Sequence, residues 1–196
     1  MSTLDAAETE RFYRIWCALL SFANEHLQLV APLPARPAPG SLNTADAATV
    51  RDGLWKNDAL LERFVTENAA DLGPPDLATV ASWCHRVSGD FFVVRHLKRY
   101  SMFLQPGPPD HVYGVVGMAT PLADLLPSFA LPIMLQAVLL PFDGRIIYDS
   151  LFSARNVVFG RGARRNLLES ARRARSREGI ITTLGESPRP TLGRKR

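Results

Sequence analysis

The sequence predicts an α+β protein in which an N-terminal helical unit precedes an antiparallel sheet of about five strands and a basic C-terminal helix. Three observations lead to this prediction. Apolar residues recur at three- and four-residue steps near the N-terminus, as in amphipathic helices. At Gly89 the pattern changes to aromatic and β-branched runs, which are typical of strands. Near its end the chain becomes rich in arginine.

Residues 1–88 are predicted to form one helical unit. Its first helix spans Leu4 to Val30. The segment 31–43 follows as a connector, because its prolines forbid helix and favour a stiff, extended chain. Three shorter helices are expected at residues 44–56, 58–71 and 74–87.

Residues 89–184 are predicted to contain the sheet and the last helix. Two strand-like runs lie within residues 91–104, and a single strand of that length would extend roughly 46 Å, well beyond the usual range. A turn is therefore expected near residues 97–99. A further strand at 112–118 and a short helix at 121–126 are expected next.

The Asp143-Gly144 pair predicts a β-hairpin between the apolar runs 133–142 and 145–150. Asp-Gly is a preferred two-residue hairpin turn, because both central residues must adopt positive φ. In this register Leu139 faces Tyr148. The first strand is apolar on both faces, which predicts a central, covered strand.

Charge is distributed unevenly along the 196 residues, although the formal net charge is only +4. Residues 1–90 hold 7 basic and 12 acidic side chains, whereas residues 151–196 hold 12 basic and 3 acidic ones. The basic groups lie in the last helix, expected over 162–177, and in the segment 185–196, expected to be a disordered tail. Such a positive segment suits an anionic partner, which could be a nucleic acid, a ribonucleoprotein, an acidic protein or a lipid surface.

Cysteine usage and the lack of known motifs exclude several classes of chemistry. Cys17 and Cys84 have no metal-ligand or redox spacing, so we expect free thiols in a reducing compartment and a cytoplasmic protein. The uncharged run 125–142 contains three prolines, so it is expected to be a buried strand and not a transmembrane segment. No phosphate-binding glycine motif is present, and neither a cofactor nor a metal is predicted.

Several short motifs resemble those of a family of uncharacterised prokaryotic proteins. These motifs are Gly89-Asp90-Phe91-Phe92-Val93-Val94, His96-Leu97-Lys98-Arg99-Tyr100, Val112-Tyr113-Gly114-Val115, the block from Leu139 to Asp149, Phe159-Gly160 and Gly179-Ile180-Ile181. The resemblance covers roughly residues 50–184, and the block from Leu139 to Asp149 is its most specific part. Some relatives carry a cysteine-rich zinc motif of the SEC-C type, which this chain lacks. The family has no established activity, so the resemblance implies an architecture and no function.

The preferred hypothesis is a non-enzymatic binding module whose basic helix contacts nucleic acid or a ribonucleoprotein. At about 100° per residue, Arg161, Arg165 and Arg172 project within roughly 40° of one another. A second basic group lies on or between strands beside Tyr100, and basic residues near aromatic ones suit a nucleic acid strand. The candidate contacts are Arg161, Arg164, Arg165, Arg172, Arg173, Arg95, Lys98 and Arg99. The buried stripe of the helix is expected to comprise Ala163, Leu167, Ala171 and Ala174.

Three alternatives remain open at this point. The arginines could dock on the acidic helices of the same chain and need no partner. The protein could be an enzyme with a site at a sheet edge formed by Asp149 with His96 or His111. Asp149 faces Val138 in the hairpin register, so a buried carboxylate there requires a partner, for which Arg95 and Arg155 are candidates. The third alternative is a protein-interaction scaffold that uses the acidic helices. The oligomeric state is left open.

Overall fold

A computed structural model describes residues 3–37, 42–155 and 157–185. The expected tail lies outside the described residues from position 186 onward, and so does part of the proline-rich connector. Within the described ranges the chain is α+β, with a five-stranded sheet and a C-terminal helix, as predicted.

Four helices form the N-terminal unit: α1 (Ala6–Leu27), α2 (Thr44–Leu54), α3 (Asp58–Glu67) and α4 (Pro74–Ser82). A 3-10 turn at Trp83–His85 follows α4. Asp5 and Glu8 begin α1 with a capping box, in which each side chain accepts a hydrogen bond from the other residue's backbone N–H. Left-handed residues end α1 at Gln28 and α3 at Asn68, so both helices are shorter than predicted.

Five strands and two further helices make up the rest of the described chain. The strands are β1 (Val87–His96), β2 (Ser101–Gln105), β3 (His111–Val115), β4 (Ile133–Phe142) and β5 (Arg145–Arg155). Between β3 and β4 lie α5 (Leu122–Leu125) and a 3-10 turn at Ser128–Ala130, and α6 spans Arg161–Glu178. The turn predicted near residues 97–99 is confirmed. Strand β1 begins four residues before the expected run at residue 91, because Val87 already pairs with Leu139.

The five strands close into a barrel in the order β1-β2-β3-β5-β4, with β4 paired back to β1. The sheet is mixed and not purely antiparallel, since β3 and β5 pair in parallel through Val115 and Ile146. The parallel pair arises because the long connection after β3 carries β4 to the far edge of β1. The hairpin after β4 then returns β5 to a position beside β3. Five strands closed in this order have the connectivity of OB-type barrels.

The hairpin turn at Asp143-Gly144 is confirmed, because these residues have φ values of 47° and 70°. Leu139 pairs with Tyr148 as predicted. A bulge between Ala137 and Leu139 shifts the register on the far side of this pair.

The helical unit and the sheet share one hydrophobic core. The Phe12 ring of α1 lies edge-on to Phe142 of β4, with ring centroids 5.9 Å apart. Trp83 packs against Trp16, and its Nε1 donates a hydrogen bond to the Pro141 carbonyl at 3.1 Å. The sheet therefore completes its core with side chains from the N-terminal helices.

Candidate functional site

Helix α6 rests on the outer face of the sheet through a narrow stripe of small residues. Ala171 and Ala174 are buried in a cluster with Met102 and Leu104 of β2 and Val112 of β3. Leu167 is partly buried beside them. Ala163, which was expected in the same stripe, is exposed and lies outside this cluster. The rest of the circumference of α6 faces away from the sheet.

All seven arginines of α6 are exposed. At about 100° per residue, five of them fall within an arc of roughly 100°, which we call the arginine arc. Its members are Arg161, Arg164, Arg165, Arg172 and Arg175. They are distributed over about 21 Å of the helix axis, at 1.5 Å per residue. The arc is a continuous positive edge along α6.

Ion pairs show that α6 is not neutralised by the acidic helices. Within the described ranges, no arginine of α6 pairs with a residue of the N-terminal unit. Arg165 lies 3.8 Å from Glu169 of the same helix, an exposed pair of small energetic effect. Arg177 contacts its neighbour Glu178 and donates to the Asp110 carbonyl. The alternative in which the arginines dock on the acidic helices therefore does not describe this fold.

Two acidic side chains of the N-terminal unit, Asp76 and Glu8, pair with arginines outside α6. Arg11 and Arg14 each lie 2.6 Å from Asp76. Burial raises the pKa of Asp76, but the two guanidinium groups outweigh it and hold that pKa below its usual value. Glu8 pairs with Arg145 at 2.5 Å, and the hydrogen bond from Arg145 lowers the pKa of Glu8. Asp76 thus joins α4 to α1, and Glu8 joins α1 to β5 of the sheet.

The second basic group lies at the β1–β2 turn, where Arg95, Lys98 and Arg99 are all exposed. Arg95 pairs across the strands with Met102, whose side chain packs under α6. Arg95 thus lies on the same outer face of the sheet as the helix.

Tyr100, the aromatic residue beside this group, is engaged in packing. A Cβ atom at Gly114 would lie 2.9 Å from Cγ of the Tyr100 ring, so the glycine gives the ring room to lie against β3. The ring is half-buried and belongs to the cluster beneath α6. It is therefore not an exposed platform for a base.

The structure does not bring together Asp149, His96 and His111. His96 Nδ1 lies 2.7 Å from Ser101 Oγ, and its Nε2 lies 2.7 Å from the Leu126 carbonyl, so both ring nitrogens are occupied. His96 lies eight residues along β1 from Ser88, which pairs with Val138 of β4. Val138 lies in the β4 bulge, opposite the part of β5 that contains Asp149. At about 3.3 Å per residue this separation is roughly 26 Å.

His111 is equally distant from the buried carboxylate. Its Nδ1 lies 2.7 Å from Oε1 of Glu178, at the C-terminal end of α6. His111 lies four residues before Val115, whose parallel partner Ile146 lies three residues before Asp149. Seven residues correspond to roughly 23 Å along the strands. No shared acid–base site results from this arrangement.

Asp149 is completely buried and accepts hydrogen bonds from three groups. Its Oδ2 lies 3.0 Å from Nη1 of Arg51 and 3.3 Å from Nε1 of Trp55, and its Oδ1 lies 3.2 Å from the Leu151 amide. Burial raises its pKa to about 6, against the opposing effect of Arg51 and the other donors. The partner is thus Arg51 of α2, and neither Arg95 nor Arg155. The only sequence signal for it was an arginine next to the buried stripe of a helix.

An open groove of about 390 Å³, which was not predicted from the sequence, lies at the N-terminal end of α6. Its lining residues are Ala130, Pro132, Ile133, Ala154, Arg155, Val157, Val158, Phe159 and Arg164. Val158 is 89% exposed, and Phe129, the neighbour of Ala130, is 87% exposed. The apolar run Val157-Val158-Phe159 between a strand and a basic helix could have drawn attention to it.

A second open groove, of about 560 Å³, lies beside the Asp143-Gly144 turn. Its charged groups are already paired, since Asp143 lies 2.7 Å from Arg11 and Arg145 binds Glu8. This groove is therefore a weaker candidate than the basic surface of α6.

In the part of the chain that the structure describes, no group of three or more His, Cys, Asp or Glu side chains could hold a metal ion. None of the described helices combines the length and the apolar character needed to cross a membrane. Cys17 and Cys84 are free thiols. Comparison with protein-family models, with curated proteins and with solved structures found no match. The resemblance to uncharacterised prokaryotic proteins stays a prediction.

Proposed function

We propose that this protein is a binding module for nucleic acid or ribonucleoprotein, and that the arginine arc of α6 is its contact surface. The orientation of α6 carries this proposal: its small residues face the sheet, and its arginines face solvent. A row of guanidinium groups about 21 Å long suits a phosphate backbone, because each group can form charge-assisted hydrogen bonds with phosphate oxygens. Release of condensed counterions favours such binding.

The order of the strands in the barrel supports the same proposal. OB-type barrels bind oligonucleotides on the face of their second and third strands, although a shared fold does not assign a function. Here α6 covers that face, because Ala171 and Ala174 pack on Met102, Leu104 and Val112. The surface offered over these strands is consequently the arginine-rich side of α6, with Arg95, Lys98 and Arg99 at one end of the strands below it.

Charge reversal along the arc tests the proposal. The variant Arg161→Glu/Arg165→Glu/Arg172→Glu replaces three exposed groups, so the fold should be retained. Fluorescence anisotropy with labelled single-stranded RNA and duplex DNA of mixed sequence, at about 50 mM salt, should show binding by the wild type. We expect the variant to bind more than about tenfold more weakly, with a shallower dependence of affinity on salt.

The matched control is Arg36→Glu/Lys56→Glu/Arg63→Glu, which changes the net charge equally on exposed residues of the N-terminal unit. This control should retain most of the binding. An equal loss in both variants would assign the effect to net charge and contradict a defined surface. If the wild type bound neither nucleic acid at about 50 mM salt, the proposal would be refuted.

A further inference from the structure

We infer that the groove at the N-terminal end of α6 binds an unstacked base of a single-stranded nucleic acid. The inference rests on the proposed function and specifies its ligand, since a duplex keeps its bases stacked and paired. Three features of the groove carry it: apolar walls of defined shape, exposed apolar residues at its margin, and cationic groups continuous with the arginine arc.

The walls come from four parts of the fold. Ala130 lies in the 3-10 turn before β4, Ile133 begins β4, Ala154 lies near the end of β5, and Phe159 precedes α6. The Phe159 ring packs edge-on against Phe92 of β1, with centroids 5.6 Å apart and planes at 69°. This contact holds the segment before α6 against the sheet, so the groove has a fixed apolar wall.

Val158 lines this groove and is almost fully exposed, and so is Phe129, the chain neighbour of the lining residue Ala130. Folding leaves these two apolar side chains in water, whereas Phe159 of the same wall packs against Phe92. A phenyl ring can stack on any base, because every base has a π-face. Phe129 therefore supplies the kind of platform that Tyr100, packed against Gly114, does not.

Two arginines line the groove and connect it with the proposed phosphate surface. Arg164 belongs to the arginine arc, and its Nε donates to the Phe159 carbonyl at 3.1 Å. That hydrogen bond orients the guanidinium and leaves its terminal amino groups without a partner in the described residues. Arg155 lines the groove at the end of β5, and no carboxylate is among the described residues that line it. A strand whose phosphates follow α6 could thus place one base in the groove.

The shape of the site favours a nucleic acid over a membrane surface. Insertion into a bilayer interface requires apolar residues that project from the surface. Of the exposed apolar residues in this region, Val157 and Val158 belong to the lining of the concave groove, and Phe129 adjoins the lining residue Ala130 in the chain. A concave apolar site flanked by guanidinium groups fits a flat base with its attached phosphate.

The test compares single-stranded and duplex ligands with the variant Phe129→Ala/Val158→Ser. Both residues are exposed, so the thermal midpoint should change little. Anisotropy is measured with a labelled 12-mer of oligouridine and with a 12-base-pair duplex, at about 50 mM salt. We expect the variant to lose about tenfold in affinity for the single strand and less than twofold for the duplex. Leu29→Ala, at an exposed apolar residue of the N-terminal unit, should change neither affinity.

Each outcome separates this inference from the proposed function. Unchanged binding of both ligands by the Phe129→Ala/Val158→Ser variant, with loss in the triple arginine variant, would overturn the groove and leave the proposed function intact. Equal losses for single strand and duplex would also overturn the groove as a base site. Binding of neither nucleic acid, together with sedimentation on phosphatidylserine vesicles, would overturn both and assign the surface to membranes.

Discussion

At the scale of single residues, Asp149 shows how burial separates a structural carboxylate from a catalytic one. The side chain has no access to solvent and bonds to Arg51 and Trp55. The Arg86 guanidinium lies over the Trp55 ring, 4.6 Å from the ring centre, and it also pairs with Asp58. Asp149 therefore joins β5 to α2 through hydrogen bonds from Arg51 and Trp55.

The raised pKa of Asp149 predicts a pH-dependent stability that Asp149→Asn should remove. The folded state keeps the proton up to about pH 6, whereas the pKa of an aspartate in the unfolded chain is 3.8. Between these values the folded state binds more protons, so its free energy of unfolding falls as pH rises. The difference in unfolding free energy, wild type minus variant, should decrease by about 2 kcal/mol from pH 4 to pH 6.5, within a total decrease of about 3 kcal/mol that is complete above about pH 7.

Urea denaturation of both proteins over this pH range measures the difference. Groups such as Glu8 and Asp76, whose pKa values are lowered, contribute to both proteins and cancel. A difference that stayed constant or increased with pH would contradict the assigned environment of Asp149.

At the scale of elements, α6 shows how far an amphipathic sequence pattern predicts which residues of a helix are buried. Its buried stripe was predicted correctly at Ala171 and Ala174, because residues three or four apart share a helix face. Ala163 fits the periodicity but is exposed. Periodicity specifies a face of the helix, but the position of the helix over the strands decides how much of that face is covered.

The difference between Ala174 and Ala163 gives a matched prediction. Ala174→Leu adds volume where the side chain is fully buried between α6 and the sheet, so we expect a loss of about 1–3 kcal/mol in unfolding free energy. Ala163→Leu makes the same chemical change at an exposed position of the same helix and should alter stability by less than about 0.5 kcal/mol. Thermal or urea denaturation of the two variants compares them. Equal effects would contradict the packing of α6 on the sheet.

At the scale of the whole molecule, the helices and the sheet stabilise each other through one core. Phe12, Trp16 and Trp83 pack with Phe142, so neither unit can expose this surface alone without loss of apolar burial. The division into residues 1–88 and 89–184 therefore describes secondary structure, and the two parts share their packing.

This shared core predicts a single unfolding transition. All three tryptophans lie in the N-terminal unit, so their fluorescence reports on the helices. Hydrogen exchange of β1 and β4 amides reports on the sheet. In urea, both probes should give the same midpoint, because two-state behaviour requires the whole core to open at once. Midpoints that differed beyond error would show that the units unfold separately.

In the predicted site, features set by neighbouring residues could be predicted from the sequence, and features set by distant residues could not. The arginine spacing on α6 depends only on positions within one helix, so the sequence predicts which arginines share an edge. Whether that edge faces solvent depends on the packing of α6 on β2 and β3. The groove beside Phe129 combines segments from residue 130 to residue 164, and no local pattern indicates that they meet.

By itself, the sequence determined the α+β class, the hairpin turn at Asp143-Gly144 and the pairing of Leu139 with Tyr148, because side-chain period and turn chemistry act over a few neighbouring residues. Only the tertiary structure decided that β3 and β5 run parallel, that Arg51 meets Asp149 across 98 residues of chain, and that α6 turns its arginines away from the acidic helices. Those features depend on which distant surfaces bury each other, and that choice is made by the folded chain as a whole.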